Sequence, residues 1–137
     1  MPDNKDPMFL SGWDFTRPWF HGSPQVLDTL LAGSTITQNE HLARVFSHKP
    51  EIVSLDEDGE IYRIRHTGRL PGLLYQIDEP IGLEDVYPHP RSSMPAGLEW
   101  LTRHPLRLRL LGPVEIVEEE LLSEADVQDL RRRAGLF

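Results

Sequence analysis

The chain has 137 residues and a mass of 15.7 kDa, with 39% hydrophobic and 26% charged residues, a balance that suits one globular domain and excludes a two-domain enzyme. Lys and Arg total 14 against 22 Asp and Glu, a formal net charge of -8, so duplex nucleic acid is an unfavoured partner. There is no cysteine, which removes disulfides, thiolate nucleophiles and Cys-built zinc sites.

Residues 1–15 carry Pro2, Pro7, Asp3, Asp6 and Asn4 without helical or strand periodicity and read as a loose leader that docks through Trp13 and Phe15. Residues 16–137 form the single domain. The leader has no signal-peptide apolar core, and no apolar run approaches the roughly 20 residues that span a bilayer, so a cytoplasmic protein without a membrane partner is expected. Arg17-Pro18-Trp19-Phe20-His21-Gly22 suits a first strand stopped by glycine and Pro24. Val26, Leu27, Leu30 and Leu31 then repeat at helical spacing before Gly33, which predicts a short amphipathic helix.

After a short strand through Thr35, Thr37 and Glu40 make a capping box for a helix with Leu42, Ala43, Val45 and Phe46 on its apolar face, ending near Lys49-Pro50. Residues 52–55 and 60–65 read as a hairpin turned by Asp56-Glu57-Asp58-Gly59. Residues 73–77 are a further strand, followed by an irregular stretch holding Pro80, Pro88, Pro90 and Pro95. Leu106, Leu108 and Leu110 alternate with Arg107 and Arg109, and Gly112-Pro113 is expected to turn the chain into a partner strand over 114–118. Ser123 and Asp126 open a last helix that closes on Arg131, Arg132 and Arg133. The sum is an α+β domain with a mostly antiparallel, split sheet and a few short helices.

Two places carry candidate chemistry. His21-Gly22-Ser23 stands where a strand runs out, and glycine lets a ligand approach the backbone between a histidine and a hydroxyl; the same residues also read as a plain turn with a satisfied histidine. Glu99 enters a strand after the proline-rich loop, where a carboxylate can bond a ribose hydroxyl and stabilise positive charge at an anomeric carbon; it also reads as an ordinary surface glutamate. His48, His66, His89 and His104 lack metal-site spacing and are expected to be solvent-facing loop residues, with no metal bound. Glu118-Glu119-Glu120 and the arginine run read as solvated faces.

The order of these pieces resembles the ADP-ribosyltransferase superfamily in its poly-ADP-ribose polymerase and diphtheria-toxin branch. Phe20-His21-Gly22-Ser23 is similar to the branch's HGS or HGT motif, and the strand through Thr35 and the helix holding Ala43 to its NAD cradle. Ile36-Thr37-Gln38 to Phe46 and Gly59-Glu60-Ile61-Tyr62 resemble the small rifampin ADP-ribosyltransferases, while Leu98-Glu99-Trp100-Leu101 looks like the family's catalytic glutamate at a late strand. The resemblance spans roughly residues 19–118. It implies NAD as substrate, with His21 on the adenosine-side ribose, the Gly22 backbone on the nicotinamide amide and Ser23 beside them. Glu99 is the implied catalytic residue, bonding the nicotinamide ribose 2′-hydroxyl and stabilising an oxocarbenium-like transition state. Thr35 aligns with the family's stacking tyrosine, so Tyr62 or Tyr75 would supply the aromatic face, and in the rifampin-enzyme register Gln76 or Asp78 competes with Glu99. The implied function is transfer of ADP-ribose to an unknown acceptor, a protein among the options, or to water. The alternative is an inactive nucleotide- or protein-binding module of the same fold.

Overall fold

Large aromatic side chains bury the most apolar area per residue ordered, and the largest core cluster holds Trp19 and Trp100, with Trp13 and Phe15 packed against it. In the computed structural model, which describes residues 12–58, 61–92, 94–95 and 97–133, with the side chains of 57, 58, 61 and 62 left undescribed, Trp100 is fully buried. The Trp19 ring meets it edge-on at 5.3 Å, Trp13 lies against it at 5.2 Å and Phe15 at 5.6 Å. Each indole N–H has a partner: Trp100 donates to the Gly97 carbonyl, Trp19 to the Phe15 carbonyl and Trp13 to Gln38 Oε1, all at 3.0 Å. Trp13 and Phe15 thus dock the segment ahead of the first strand, as the sequence predicts; residues 1–11 lie outside the described part.

The strands are β1 (Phe20–Ser23), β2 (Thr29–Leu30), β3 (Thr35–Ile36), β4 (Val53–Asp58), β5 (Ile61–His66), β6 (Gly72–Ile77), β7 (Val86–Pro88), β8 (Trp100–Thr102) and β9 (Leu106–Val114). Helix α1 (Glu40–Phe46) follows β3, and α2 (Glu124–Arg133) closes the described chain after a 3-10 turn at Glu118–Glu120. The strands form a four-stranded sheet ordered β1-β6-β9-β2, a three-stranded sheet ordered β3-β8-β7 and the β4-β5 hairpin, every ladder antiparallel. The protein is therefore α+β and mostly antiparallel. Among the described residues no helix is long and apolar enough to cross a membrane.

Several local expectations are corrected. Residues 26–31 are not helical. Thr29–Leu30 pairs instead with Leu106 and Arg107 of β9, so the segment is taken up by the sheet. The Tyr75 hydroxyl clamps the approach, donating to the Gln25 carbonyl and accepting from Leu27 N–H, both at 2.8 Å; Leu30 is buried while Val26 is 84% exposed. Gly112-Pro113 does not turn the chain. β9 runs through it, with the register against β6 shifting between Leu74 and Tyr75, and Gly112 takes φ 154, so glycine absorbs the irregularity and proline sits on a stretch of strand that β2 leaves uncovered.

The cap of α1 is Asn39, whose Oδ1 accepts from Leu42 N–H at 3.0 Å. Thr37 is instead tied into the sheet, its backbone pairing with Phe20 and its hydroxyl accepting from Asn39 N–H at 3.0 Å. At the other end of the chain the expected box is present: Ser123 Oγ accepts from Asp126 N–H and Asp126 Oδ2 from Ser123 N–H, each at 3.1 Å. The hairpin forms, but Asp56, Glu57 and Asp58, expected in its turn, belong to β4 and pair with Arg63, Tyr62 and Ile61 of β5; residues 59 and 60 lie outside the described residues.

His48 and His66, expected in solvent, are buried at 2% and 0% exposure and stack at 5.6 Å with rings 11° apart. His48 Nδ1 donates to the Leu70 carbonyl at 2.7 Å, and His66 Nδ1 accepts from Gly68 N–H at 3.0 Å. Nε2 of His66 has no partner among the described residues.

Candidate functional site: a cleft where two strands part

The two larger sheets touch through β1 and β3. Phe20 and Thr37 exchange both backbone hydrogen bonds, at 2.7 and 3.0 Å, and among the described residues that is the only ladder pair between these two segments. One step further, in the same antiparallel register, Gly22 would face Thr35. There the strands separate, because the His21 imidazole donates from Nδ1 to the Thr35 carbonyl at 2.8 Å and takes up the acceptor a ladder bond would use.

Backbone groups of an extended strand alternate between its edges. Trp19 carbonyl accepts from Ile77 of β6 and Phe20 bonds Thr37, so His21 turns its backbone to β6 and Gly22 turns its N–H and C=O to the parted edge. By the same count Ser34 bonds Thr102 of β8 and Thr35 faces back toward β1. The opening is an unzipped ladder with two backbone edges exposed to it.

A cleft of about 350 Å³ occupies this opening, lined by His21, Gly22, Thr35, Phe46, Lys49, Pro50 and Glu99. Glycine is required at 22 for packing as well as access: a Cβ there would lie 1.8 Å from the Ala43 carbonyl oxygen of α1. Burial pulls the His21 pKa down, its bond to Thr35 opposing only in part. The ring is neutral near pH 7, with Nδ1 protonated because a carbonyl can only accept, which leaves Nε2 as an acceptor. Burial pushes the Glu99 carboxyl up, against the opposing effects of nearby His89 and a hydrogen bond from Ser92. Both partners come from the proline-rich stretch before β8, and His89 N–H also donates to the Glu99 carbonyl at 3.0 Å.

Four of the sequence-derived site residues therefore meet: His21, Gly22, Thr35 and Glu99. Ser23 does not line the cleft; it is buried, and its Oγ accepts from Gln25 N–H at 3.1 Å, shaping the turn after β1. Tyr75 is buried with its hydroxyl committed to residues 25 and 27, so it offers no stacking face. The Tyr62 side chain lies outside the described residues. Gln76 bonds Arg109 at 2.8 Å and lines a different cavity, and Asp78 is exposed beside Arg107, so neither competes with Glu99 for this cleft. Phe46 and Lys49 were not legible as site residues. Phe46 reads as one more apolar position of α1, and Lys49 as a helix-ending surface cation. Comparison with protein-family models, curated proteins and solved structures finds no match to this chain.

Proposed function

We propose that the cleft binds NAD and that the protein transfers ADP-ribose from it to an acceptor or to water, on a split-sheet fold of the ADP-ribosyltransferase kind. The observation that carries this reading is the convergence on one opening of His21, the parted backbone edge of Gly22 and the half-buried carboxylate of Glu99. A primary carboxamide has one carbonyl and an N–H pair, the complement of the Gly22 backbone, so nicotinamide completes the ladder that β3 abandons. His21 Nε2 accepts from a ribose hydroxyl. Phe46 supplies the aromatic wall that Thr35 lacks. The volume lies near the low end of the roughly 300–1,000 Å³ typical of ligand pockets, so it encloses the nicotinamide riboside half while the adenylate half lies along the rim.

Glu99 accepts from the 2′-hydroxyl and stabilises positive charge as the bond between C1′ and the pyridinium nitrogen breaks. Nicotinamide leaves neutral with the bonding electron pair, and the acceptor adds to C1′ and gives up its proton. One well-placed group of this kind supplies about 10²–10³ in rate. The test is chromatographic release of nicotinamide by wild type and Glu99→Gln. About a hundredfold slower release with NAD still bound supports the assignment, and equal rates overturn it. A second reading, a nucleotide-binding module without turnover, is favoured by Thr35 at the stacking position; NAD bound by wild type with no nicotinamide released would select it.

A further inference from the structure

We infer that Lys49 makes the cleft selective for a phosphorylated nucleoside, holding the phosphate attached to the ribose whose base occupies the opening; the inference rests on the NAD reading above. Three observations meet at this residue. It is the cation among the side chains lining the cleft. Its side chain is exposed and has no carboxylate partner among the described residues. Its backbone sits at φ 52, alone among described non-glycine residues in the left-handed region.

The third observation says why the first two are not incidental. The chain leaves α1 through His48 N–H to Val45 at 3.2 Å and Lys49 N–H to Phe46 at 3.0 Å, and His48 is fixed by Leu70 through its ring and its carbonyl. Pro50 then disfavours the right-handed helical conformation for Lys49. A left-handed residue after a helix is most often glycine, which adopts it without strain. A lysine at this place bears the strain and lines the cleft, and its ammonium is a point charge of the kind that binds phosphate. Conformational outliers of this sort concentrate at ligand sites.

The test is calorimetry of the full chain with nicotinamide mononucleotide and with nicotinamide riboside, which differ by the phosphate. Wild type should bind the nucleotide about tenfold tighter than the riboside, the effect of one charge-assisted contact. Lys49→Met should lose that preference while holding the riboside as wild type does. Lys49→Gly, which suits the left-handed backbone, should behave likewise and guards against a folding defect. Equal preference for the nucleotide in all three proteins overturns the role of Lys49 and leaves the NAD reading standing. Binding of neither ligand by folded wild type overturns the NAD reading and the inference with it.

Discussion

Replacing Gly22 with alanine tests the packing that creates the cleft. The added methyl would lie 1.8 Å from the Ala43 carbonyl oxygen and 2.7 Å from the Ser47 nitrogen. Both are backbone atoms, so no side-chain rotation relieves the clash. Helix α1 must retreat by roughly 1.5 Å to restore ordinary contact, and in doing so it withdraws Leu42, Ala43 and Val45, all buried, from two clusters of the core. Overpacking costs about 1–3 kcal/mol where neighbours can adjust; with rigid backbone on the far side we expect about 3 kcal/mol. That is a large part of the roughly 5–15 kcal/mol a domain possesses, and it lowers Tm by about 10 °C. Urea unfolding read by tryptophan fluorescence should show a lower midpoint at unchanged slope. Gly33→Ala is the control, since Gly33 has φ 82 with open space around it and costs only the left-handed penalty of about 1 kcal/mol. A Gly22→Ala loss no larger than the Gly33→Ala loss would refute the described contact of β1 with α1.

Further outcomes follow from the same structure. His66 is held below the usual histidine range by burial first and then by His48, with His41 and Arg69 acting the same way and Glu120 opposing; His21 is lowered by burial. For a depressed histidine the unfolded chain takes up the proton first, so stability is full above about pH 6.5 and falls as pH drops from there toward the folded pKa. Urea midpoints measured from pH 8 to 5 should decline across that window, and a His66→Gln variant should decline less; equal slopes would contradict the role of the buried pair. Glu99 has the opposite sign. Its raised carboxyl pKa means that the contribution is complete below the unfolded value and lost as pH rises through the folded one, so Glu99→Gln should melt higher than wild type at pH 7 and equal it near pH 4. A lower Tm at pH 7 would show that the carboxylate is well compensated. Ser123→Ala removes half of a reciprocal cap worth about 1 kcal/mol, yet α2 buries none of its residues; amide exchange in 124–133 should quicken while the global midpoint stays put, and an equal fall in both would mean that α2 unfolds with the core.

What the sequence discloses is what local chemistry decides. The β4–β5 hairpin, the Ser123–Asp126 cap, the strand entry at Glu99 and the docking of Trp13 and Phe15 all follow from patterns read over a few residues. What it conceals was settled by partners far along the chain. The 26–31 segment has helical spacing, but the Tyr75 hydroxyl and the edge of β9 capture it as strand. Gly112-Pro113 has the composition of a turn, but a bulged strand accommodates both residues. Thr37 has the spacing of a cap, but its backbone is occupied by Phe20 and the cap passes to Asn39. At the site, a histidine beside a glycine and an acid at a strand entry single out His21, Gly22 and Glu99 only weakly by type, and it is the resemblance in the order of the elements that joins them. Phe46 and Lys49 were not legible, because an aromatic at the end of an amphipathic helix and a lysine before a proline are indistinguishable from core and surface until the fold brings them to the opening.

Calorimetric titration of the purified protein with NAD, repeated on His21→Ala, asks whether the parted edge between β1 and β3 is the NAD site proposed above. Saturable binding of one NAD per chain is expected, weakened in the variant by about 1–3 kcal/mol, the cost of leaving a polar ligand group unmatched. Folded wild-type protein that takes up no heat at millimolar NAD, or a variant that binds as tightly as its parent, would contradict that proposal.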